Sequence, residues 1–173
     1  MIELRIPLKH ERDKVAQACE HPWAVESGFA TYWHDQCGKD LTLLNTFLTE
    51  MSRGENLPDG FVPCTFLFAF NDNSELVGRV SIRHELNDFL SHEGGHIGYA
   101  VLPSFRRRGY ATEMLRLALI YSRDRLKLER VLITCDDDNE GSWRVIEKNG
   151  GILESRAQRS TNNTLFRRYW VTL

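Results

Sequence analysis

The stretch Gly98-Tyr-Ala-Val-Leu-Pro-Ser-Phe-Arg-Arg-Arg-Gly-Tyr-Ala-Thr112 decides the fold of this chain. Its apolar start predicts a buried strand, its proline predicts a turn, and its arginine/glycine segment opens directly into a helix. A loop of this kind combines backbone N–H groups, the positive end of a helix dipole and fixed cationic side chains. These groups bind pyrophosphate, so the sequence predicts an anion site here.

Periodicity upstream of this stretch predicts a strand and two helices. Ile2 to Ile6 alternates apolar and charged residues, as a half-buried strand does. His10 to Glu20 and Leu41 to Met51 place their apolar residues at helical spacing. The pattern between Pro22 and Lys39 is poor, and no element is predicted there.

Two apolar runs, Cys64–Phe70 and Leu76–Ile82, flank the turn residues Asn71-Asp-Asn-Ser74 and predict a β-hairpin. Asn87 to Gly95 is expected to be a polar loop exposed to solvent. His96–Val101 is predicted to be the strand that leads into the arginine/glycine segment.

Four further elements follow along the chain. Thr112 to Lys127 has a helical apolar face, and Arg130–Cys135 is rich in β-branched residues, as a strand is. Asn139 to Asn149 is a predicted short helix that ends at Gly150-Gly151. Ile152–Arg156 and Leu165–Thr172 are predicted to pair as a hairpin. This order of elements predicts an α/β sandwich with a mixed, mostly antiparallel sheet.

Composition favours a single globular domain over residues 1–173, with 42% hydrophobic residues for a core. A net charge of −2 argues against a nucleic-acid-binding protein, whose domain is usually strongly basic. The four cysteines are widely spaced, which is not typical of a zinc site or a disulfide framework. The chain shows neither a signal peptide nor an apolar run of membrane-spanning length, so a soluble, cytoplasmic protein without membrane partners is expected.

The segment Arg106-x-x-Gly109-x-Ala111 resembles the Arg/Gln-x-x-Gly-x-Gly/Ala motif of the GNAT superfamily of N-acetyltransferases. Residues 64–173 also follow the element order of that superfamily. The resemblance implies a GNAT-type α/β sandwich, a central mixed and mostly antiparallel sheet flanked by helices, and a loop that holds the pyrophosphate of acetyl-CoA. It also implies a bulge in the strand before the loop, where Gly98 is the candidate, and a gap that accepts pantetheine.

A second motif, Asn139-Glu-Gly-Ser142-Trp-Arg-Val-Ile-Glu-Lys148-Asn-Gly-Gly151, resembles the GNAT branch that includes ribosomal-protein N-terminal acetyltransferases. The resemblance implies that Asn139 binds the pantetheine arm and that Ser142 protonates the leaving thiolate. Many relatives use a Tyr for that step, and Ile146 stands in its place here. Helix capping by Asn139 and Ser142 is the alternative.

The two motifs together give the expected cofactor-binding residues. They are Tyr99, Ala100, Val101, Arg106, Arg107, Arg108, Gly109, Tyr110, Ala111, Thr112, Asn139 and Ser142.

Acetylation of an amine needs a group that removes a proton. Where relatives read Glu-Ile-Gly-Tyr, this chain reads His96-Ile-Gly-Tyr99, so His96 is the first candidate base. Glu85, at the end of a predicted strand, is the second. The spacing of His84, His92, Glu93 and His96 fits no specific metal site, and no metal is expected. Cys135 lies near the expected sulfur position, as a buried thiol or as an acyl-carrying nucleophile.

The resemblance predicts an acetyl-CoA-dependent N-acetyltransferase that acts on a primary amine by direct attack in a ternary complex. The alternative is a non-catalytic acyl-CoA-binding or sensing module. The expected acceptor is a small-molecule or peptide amine. The family resemblance also leads us to expect a homodimer. Acceptor contacts are expected from Pro22 to Gly60 and from the Asn87–Gly95 loop. Four aromatic residues are candidates either for the wall of the acceptor pocket or for the core. They are Trp23, Phe29, Tyr32 and Trp33.

Overall fold

The computed structural model describes residues 1–26, 29 and 41–173. Seven strands form two antiparallel sheets. The first has the order β1-β2-β3-β4, with β1 at Ile2–Arg5, β2 at Cys64–Asn71, β3 at Leu76–Arg83 and β4 at Ile97–Val101. The second has the order β5-β7-β6, with β5 at Arg130–Asp136, β6 at Ile152–Gln158 and β7 at Leu165–Thr172.

Five α-helices lie among the described residues. They are α1 at Arg12–Glu20, α2 at Pro22–Glu26, α3 at Leu44–Arg53, α4 at Tyr110–Asp124 and α5 at Glu140–Lys148. Short 3-10 turns precede α1, α3 and the arginine/glycine segment, and a π-helical turn spans Leu90–Gly94. Among these residues no helix combines the length and apolarity needed to cross a bilayer.

The first sheet is covered on both faces, which explains why nearly all of β3 is buried. On one face α4 packs so closely that a Cβ on Gly78 would lie 2.8 Å from the Met114 side chain. On the other face α1 and α3 pack against the phenylalanines of β2, and Phe68 is fully buried there. Because successive residues of a strand point to opposite faces, Arg79 and Ser81 lie on the face away from α4.

Strands β4 and β5 join the two sheets at one point. The His96 N–H donates to the Leu132 carbonyl at 2.7 Å, and the Leu132 N–H donates to Nδ1 of His96 at 2.9 Å. Beyond this point β4 pairs only with β3 in the sheet, and β5 pairs with β7. The carboxyl ends of β4 and β5 both line one cleft, so the two strands run in the same direction and separate as they approach it.

The predicted α/β class, the mostly antiparallel sheet and both hairpins are confirmed. The expected bulge in β4 is absent, because the β3–β4 register runs evenly from Gly78–Val101 to Ile82–Ile97. Instead, the His96 ring accepts the Leu132 N–H in the place of a backbone carbonyl, and β4 and β5 diverge from that point.

The expectation of a solvent-exposed polar loop at Asn87 to Gly95 is confirmed only in part, since four of its residues are exposed and others are buried. Within this segment Leu90 and Glu93 are buried. Burial of the Glu93 carboxylate is offset by the Ser160 hydroxyl, which donates to Oε1 at 2.5 Å, and by Arg159 at 3.8 Å. Both partners come from the β6–β7 connection, more than 60 residues away, so the local pattern carried no sign of them.

Candidate active site

The arginine/glycine segment forms the floor of a cleft of about 710 Å³ at the start of α4. Gly109 is the residue before the helix and has a φ of 83°, a left-handed conformation that glycine adopts without strain. A Cβ at this position would meet no protein atom within 4 Å, so the backbone is open to the cleft. The N-terminus of α4 therefore presents free N–H groups and the positive end of its dipole to a ligand.

Eleven of the twelve expected cofactor residues line this cleft. They are Tyr99, Ala100, Val101, Arg106, Arg107, Gly109, Tyr110, Ala111, Thr112, Asn139 and Ser142. Arg108 is the exception, since its exposed side chain lies over the Phe105 ring, 5.6 Å from the centroid.

The cleft is strongly cationic. Arg106 and Arg107 come from the loop, and the α5 residues Arg144 and Lys148 come from the opposite wall. The carboxylate of Asp136 also lines the cleft, but Arg159 pairs with it at 2.6 Å. We call this site the cationic cleft; its charges suit a ligand that carries several phosphate groups.

Arg144 and Lys148 were not predicted as cleft residues. They lie four positions apart on α5, which places them on the same side of that helix. This spacing was visible in the sequence, but which side of α5 faces the cleft depends on how the helix packs. Asn149 fixes that packing, because its Nδ2 donates to the Thr112 carbonyl of α4 at 3.2 Å.

One edge of β4 faces the cationic cleft with backbone groups that pair with no strand among the described residues. The Leu102 N–H donates to Val77, and the His96 carbonyl accepts from Arg83, both on β3. Backbone groups of an antiparallel strand alternate in direction, so those of Tyr99 and Val101 point away from β3. The Val101 carbonyl accepts from Nε of Arg106 at 3.3 Å, so the backbone groups of Tyr99 and the Val101 N–H are those that an extended amide-containing chain can bind.

Two hydroxyl groups meet at the inner end of the cleft. The Tyr99 hydroxyl lies 2.8 Å from Oγ of Ser142 and donates to the Ser142 carbonyl at 3.1 Å. Burial raises the pKa of Tyr99, so its phenol stays protonated near neutral pH. The pair brings together two residues that lie 43 positions apart in the sequence.

Asn139 caps α5, as the alternative interpretation expected. Its Oδ1 accepts the Ser142 N–H at 3.0 Å, and the same bond fixes the position of Ser142. Asn139 also lines the cationic cleft, so capping and ligand contact are compatible. Ile146, which stands where the family resemblance leads us to expect a tyrosine, is fully buried in the core.

The two candidate bases lie outside the cleft lining. His96 is buried, and burial lowers its pKa to about 4. Nδ1 of its neutral ring accepts from Leu132, so the proton is on Nε2 and the ring has no free acceptor. A base role for His96 does not fit this geometry. Glu85 is an exposed residue after β3 and lines neither cavity described for this chain.

Burial raises the pKa of the Cys135 thiol to about 12, which favours the buried-thiol interpretation over a nucleophile. Within the described ranges, no group of three or more His, Cys, Asp or Glu is placed to hold a metal ion.

A second cavity, of about 330 Å³, lies on the face of the first sheet away from α4. Arg79, Ser81 and Arg83 of β3 line it, together with Gly98 of β4. Its other walls come from α3, from β2 and the segment before it, and from the turn after β3. We call it the arginine pocket.

The aromatic cluster expected near the acceptor is divided by the structure. Trp23 lines the cationic cleft, where the Arg106 guanidinium lies 4.9 Å from its ring centroid. Phe29 is fully buried in the core. Tyr32 and Trp33 lie outside the described residues.

Comparisons with known proteins agree with this architecture. The spermidine N-acetyltransferase of Vibrio cholerae, solved with CoA and spermine, superposes with a TM-score of 0.68 at 14% identity and covers 99% of this chain and 95% of its own. An acetyltransferase from Agrobacterium tumefaciens superposes with a TM-score of 0.60 at 21% identity, over 97% and 90% of the two chains. At these identities the likeness shows the fold.

Sequence comparison identifies curated relatives over part of their length. The uncharacterized N-acetyltransferase YjdG of Bacillus subtilis is 30% identical over 93 residues, which are 54% of each protein. The chain thus spans about half the length of this relative. A family model described as the acetyltransferase (GNAT) domain matches residues 3–152. The chain therefore belongs to the GNAT acetyltransferase family, whose acyl donor is acetyl-CoA.

Proposed function

We propose that this protein transfers the acetyl group of acetyl-CoA to a primary amine by direct attack in a ternary complex. The observation that carries the proposal is the cationic cleft beside the open edge of β4, which ends at the Tyr99–Ser142 pair. When bound, acetyl-CoA supplies a thioester activated for acyl transfer. Everything else in the reaction depends on how this chain orients the two reactants.

The cleft residues divide the binding task. Arg107, Arg144 and Lys148 would hold phosphate groups, together with the N–H groups that follow Gly109. The backbone groups of Tyr99 and the N–H of Val101 would pair with the amides of the pantetheine arm, as a neighbouring strand would. Asn139 would hold the arm on the α5 side.

Ser142 and Tyr99 would control the proton on the leaving sulfur. In the reaction a C–N bond forms, the C–S bond breaks, the amine gives one proton to solvent, and the thiolate takes one proton. If the Tyr99 proton turns from the Ser142 carbonyl to Oγ of Ser142, the serine proton is free to point at the sulfur. Tyr99 is thus a positioning residue, and it compensates for the absence of a tyrosine at Ile146.

Calorimetric titration with acetyl-CoA tests this proposal, with Gly109→Val as the decisive variant. Gly109 lies in the left-handed region, where a side chain costs about 1–2 kcal/mol, and the new side chain would occupy the cleft. We expect acetyl-CoA affinity to fall by roughly 100-fold or more.

Gly150→Val is the matched control, because Gly150 has a φ of 84°, equally open surroundings and no place in the cleft lining. It should lose stability but keep its acetyl-CoA affinity. Wild type that binds no acetyl-CoA would overturn the proposal. Tight binding without release of CoA thiol, for every amine tried, would instead favour the non-catalytic sensing module.

A further inference from the structure

Trp23 differs in origin from the other residues that line the cationic cleft. It belongs to α2, whereas every other described lining residue lies within residues 99–112 or 136–148. Neither of the two sequence motifs includes it. A third part of the chain therefore contributes an aromatic ring to the cleft, and the motifs give no reason for it.

Contacts with the core and with the arginine/glycine segment hold the Trp23 ring in place. The centroid of the Phe29 ring lies 5.6 Å from that of Trp23, and Phe29 is fully buried. The Arg106 guanidinium lies 4.9 Å from the Trp23 centroid. Trp23 is only partly buried, and it packs against the core cluster that includes Ala100 of β4. A ring held in this way presents apolar surface to a ligand without first having to be ordered.

Arg106 is directed differently from its neighbour Arg107. Its Nε donates to the Val101 carbonyl at 3.3 Å, and its guanidinium lies over Trp23. Arg107 makes no hydrogen bond or ion pair within the described part of the chain, so its guanidinium is available to a phosphate group. Arg106 instead occupies the last carbonyl of the open edge of β4. Backbone pairing between β4 and a ligand therefore ends at this point.

The order of groups along the cleft indicates which part of acetyl-CoA lies beside Trp23. The Tyr99 hydroxyl is at the inner end, where the thioester is expected, and the N–H groups after Gly109 are where phosphate is expected. Val101 comes between them, and Arg106 connects it to Trp23. In acetyl-CoA the pantetheine arm connects the thioester to the pyrophosphate. The arm carries a dimethyl-substituted carbon, an apolar group that an indole ring can cover.

We propose that Trp23 is a specificity-determining residue that binds the pantetheine arm of acetyl-CoA, and that Arg106 positions its ring at the end of β4 instead of binding phosphate. The inference rests on the proposed acetyl transfer and goes beyond it, because it assigns α2 to the cofactor site. The cleft then recognises the arm as well as the phosphate groups. A nucleotide that has the same phosphates but no arm gains nothing from Trp23.

The test uses two ligands that differ only in the arm. They are CoA and adenosine 3′-phosphate 5′-diphosphate, the nucleotide half of CoA. Calorimetry gives the Kd of each ligand for wild type and for Trp23→Leu. Loss of the indole ring removes apolar contact with the arm, so CoA affinity should fall by roughly 10-fold while nucleotide affinity stays within twofold. Unchanged CoA affinity, or an equal fall for both ligands, would overturn the proposal.

Two further variants separate recognition of the arm from effects on folding. Trp23→Phe keeps an aromatic ring at this position, so it should lose about two- to threefold in CoA affinity and nothing in nucleotide affinity. Trp170→Leu is the matched control, because the Arg130 guanidinium lies 4.3 Å from the Trp170 centroid but this pair lines neither cavity. Its affinity for both ligands should equal that of wild type. A loss of CoA affinity as large as that of Trp23→Leu would contradict the assignment.

The roles of the two neighbouring arginines are tested with the nucleotide alone. Arg106→Met and Arg107→Met each remove one positive charge and keep a long side chain. Arg107→Met should weaken nucleotide binding by about tenfold, through the loss of a charged contact. Arg106→Met should weaken it by less than about threefold, because its guanidinium is directed to Trp23 and Val101. A larger loss in Arg106→Met than in Arg107→Met would show that Arg106 binds phosphate, against the proposal.

The outcomes keep this inference separate from the proposed acetyl transfer. If CoA binds equally well to wild type and to Trp23→Leu, the assignment of Trp23 fails and the acetyl-transfer proposal stands. If CoA affinity depends on Trp23 as expected but no amine is acetylated, the acetyl-transfer proposal fails and Trp23 keeps its role. Wild type that binds neither CoA nor acetyl-CoA would overturn both.

Discussion

The cationic cleft and the arginine pocket lie on either side of β4 and hold their charges in opposite ways. The arginines of the cleft loop are exposed, keep their hydration and come from a short continuous segment. Those of the pocket are largely buried and come from β3, where Arg79 lies in the middle of the strand and Arg83 is its last residue. Cations that keep their hydration add little desolvation free energy to the fold, and they suit a highly charged ligand. Cations that lose their hydration add a much larger desolvation free energy, so the fold must place polar or charged partners beside them.

Removing the Ser142 hydroxyl tests whether the cleft performs chemistry as well as binding, and it has the largest expected effect. Ser142→Ala should lower kcat by roughly 100-fold, the usual contribution of a positioned acid. The calorimetric affinity for acetyl-CoA should stay within a few-fold, because the backbone N–H of residue 142 still bonds to Asn139.

Ser104→Ala, at an exposed turn outside the cleft lining, is the control for this experiment. Tyr99→Phe should lower kcat by a smaller factor, since it removes only the partner of Ser142. Full turnover in Ser142→Ala would remove this residue from the mechanism.

Acidification tests the hydrogen-bonded contact between His96 and Leu132, which joins the two sheets. Because the pKa of His96 is about 4 in the folded protein and near 6.5 when unfolded, the neutral ring stabilises the fold above pH 6.5. That contribution, about 3 kcal/mol, is lost as the pH falls from 6.5 towards 4. Chemical denaturation over this pH range measures it.

His96→Asn is the comparison, since an amide oxygen also accepts the Leu132 N–H but does not titrate. The free energy of unfolding of this variant should depend less on pH between 6.5 and 4 than that of wild type. Parallel pH profiles would show that His96 titrates normally, against the geometry described here.

Adjacent arginines show whether position in the cleft decides binding. Arg107 lines the cationic cleft, and Arg108 lies over the Phe105 ring outside it. Arg107→Ala should weaken acetyl-CoA binding by about tenfold through the loss of one charged contact. Arg108→Ala should change it less than twofold. Equal losses would indicate a general charge effect.

A single methyl group at Gly98 should affect the pocket and leave the cleft unchanged, with the smallest expected effect. The new Cβ would lie 3.0 Å from Oγ of Ser81 and 3.6 Å from Nη1 of Arg79. Gly98→Ala should lower the free energy of unfolding by about 1 kcal/mol, because the new methyl group overpacks this position, and chemical denaturation measures this loss. Acetyl-CoA affinity measured on the same preparation should not change.

The difference between the two cavities also explains which of them could be predicted. The cleft is formed largely by two short stretches, residues 99–112 and 136–148, in which turn chemistry and helix starts are local features. Its anion site and its Asn139 cap could therefore be predicted from the sequence. The direction of the Arg108 side chain and the contribution of Lys148 could not be predicted, because they depend on packing between helices.

The roles of single polar residues were the hardest to predict. The family resemblance makes His96 a candidate base in place of a glutamate, yet its ring replaces a backbone acceptor for Leu132. The burial of Glu93 depends on Arg159 and Ser160 at the far end of the chain. A residue's neighbours in space decide its protonation state, and these neighbours are distant in sequence.

The sequence by itself determined the order of the elements, the α/β class and the anion-binding loop, because periodicity, turn residues and a helix start are local properties. Only the tertiary structure decided that Tyr99 meets Ser142, that β4 keeps an open edge, and that Arg79 and Arg83 share a pocket. These features arise where residues far apart in the chain are packed together, and no local pattern carries that information.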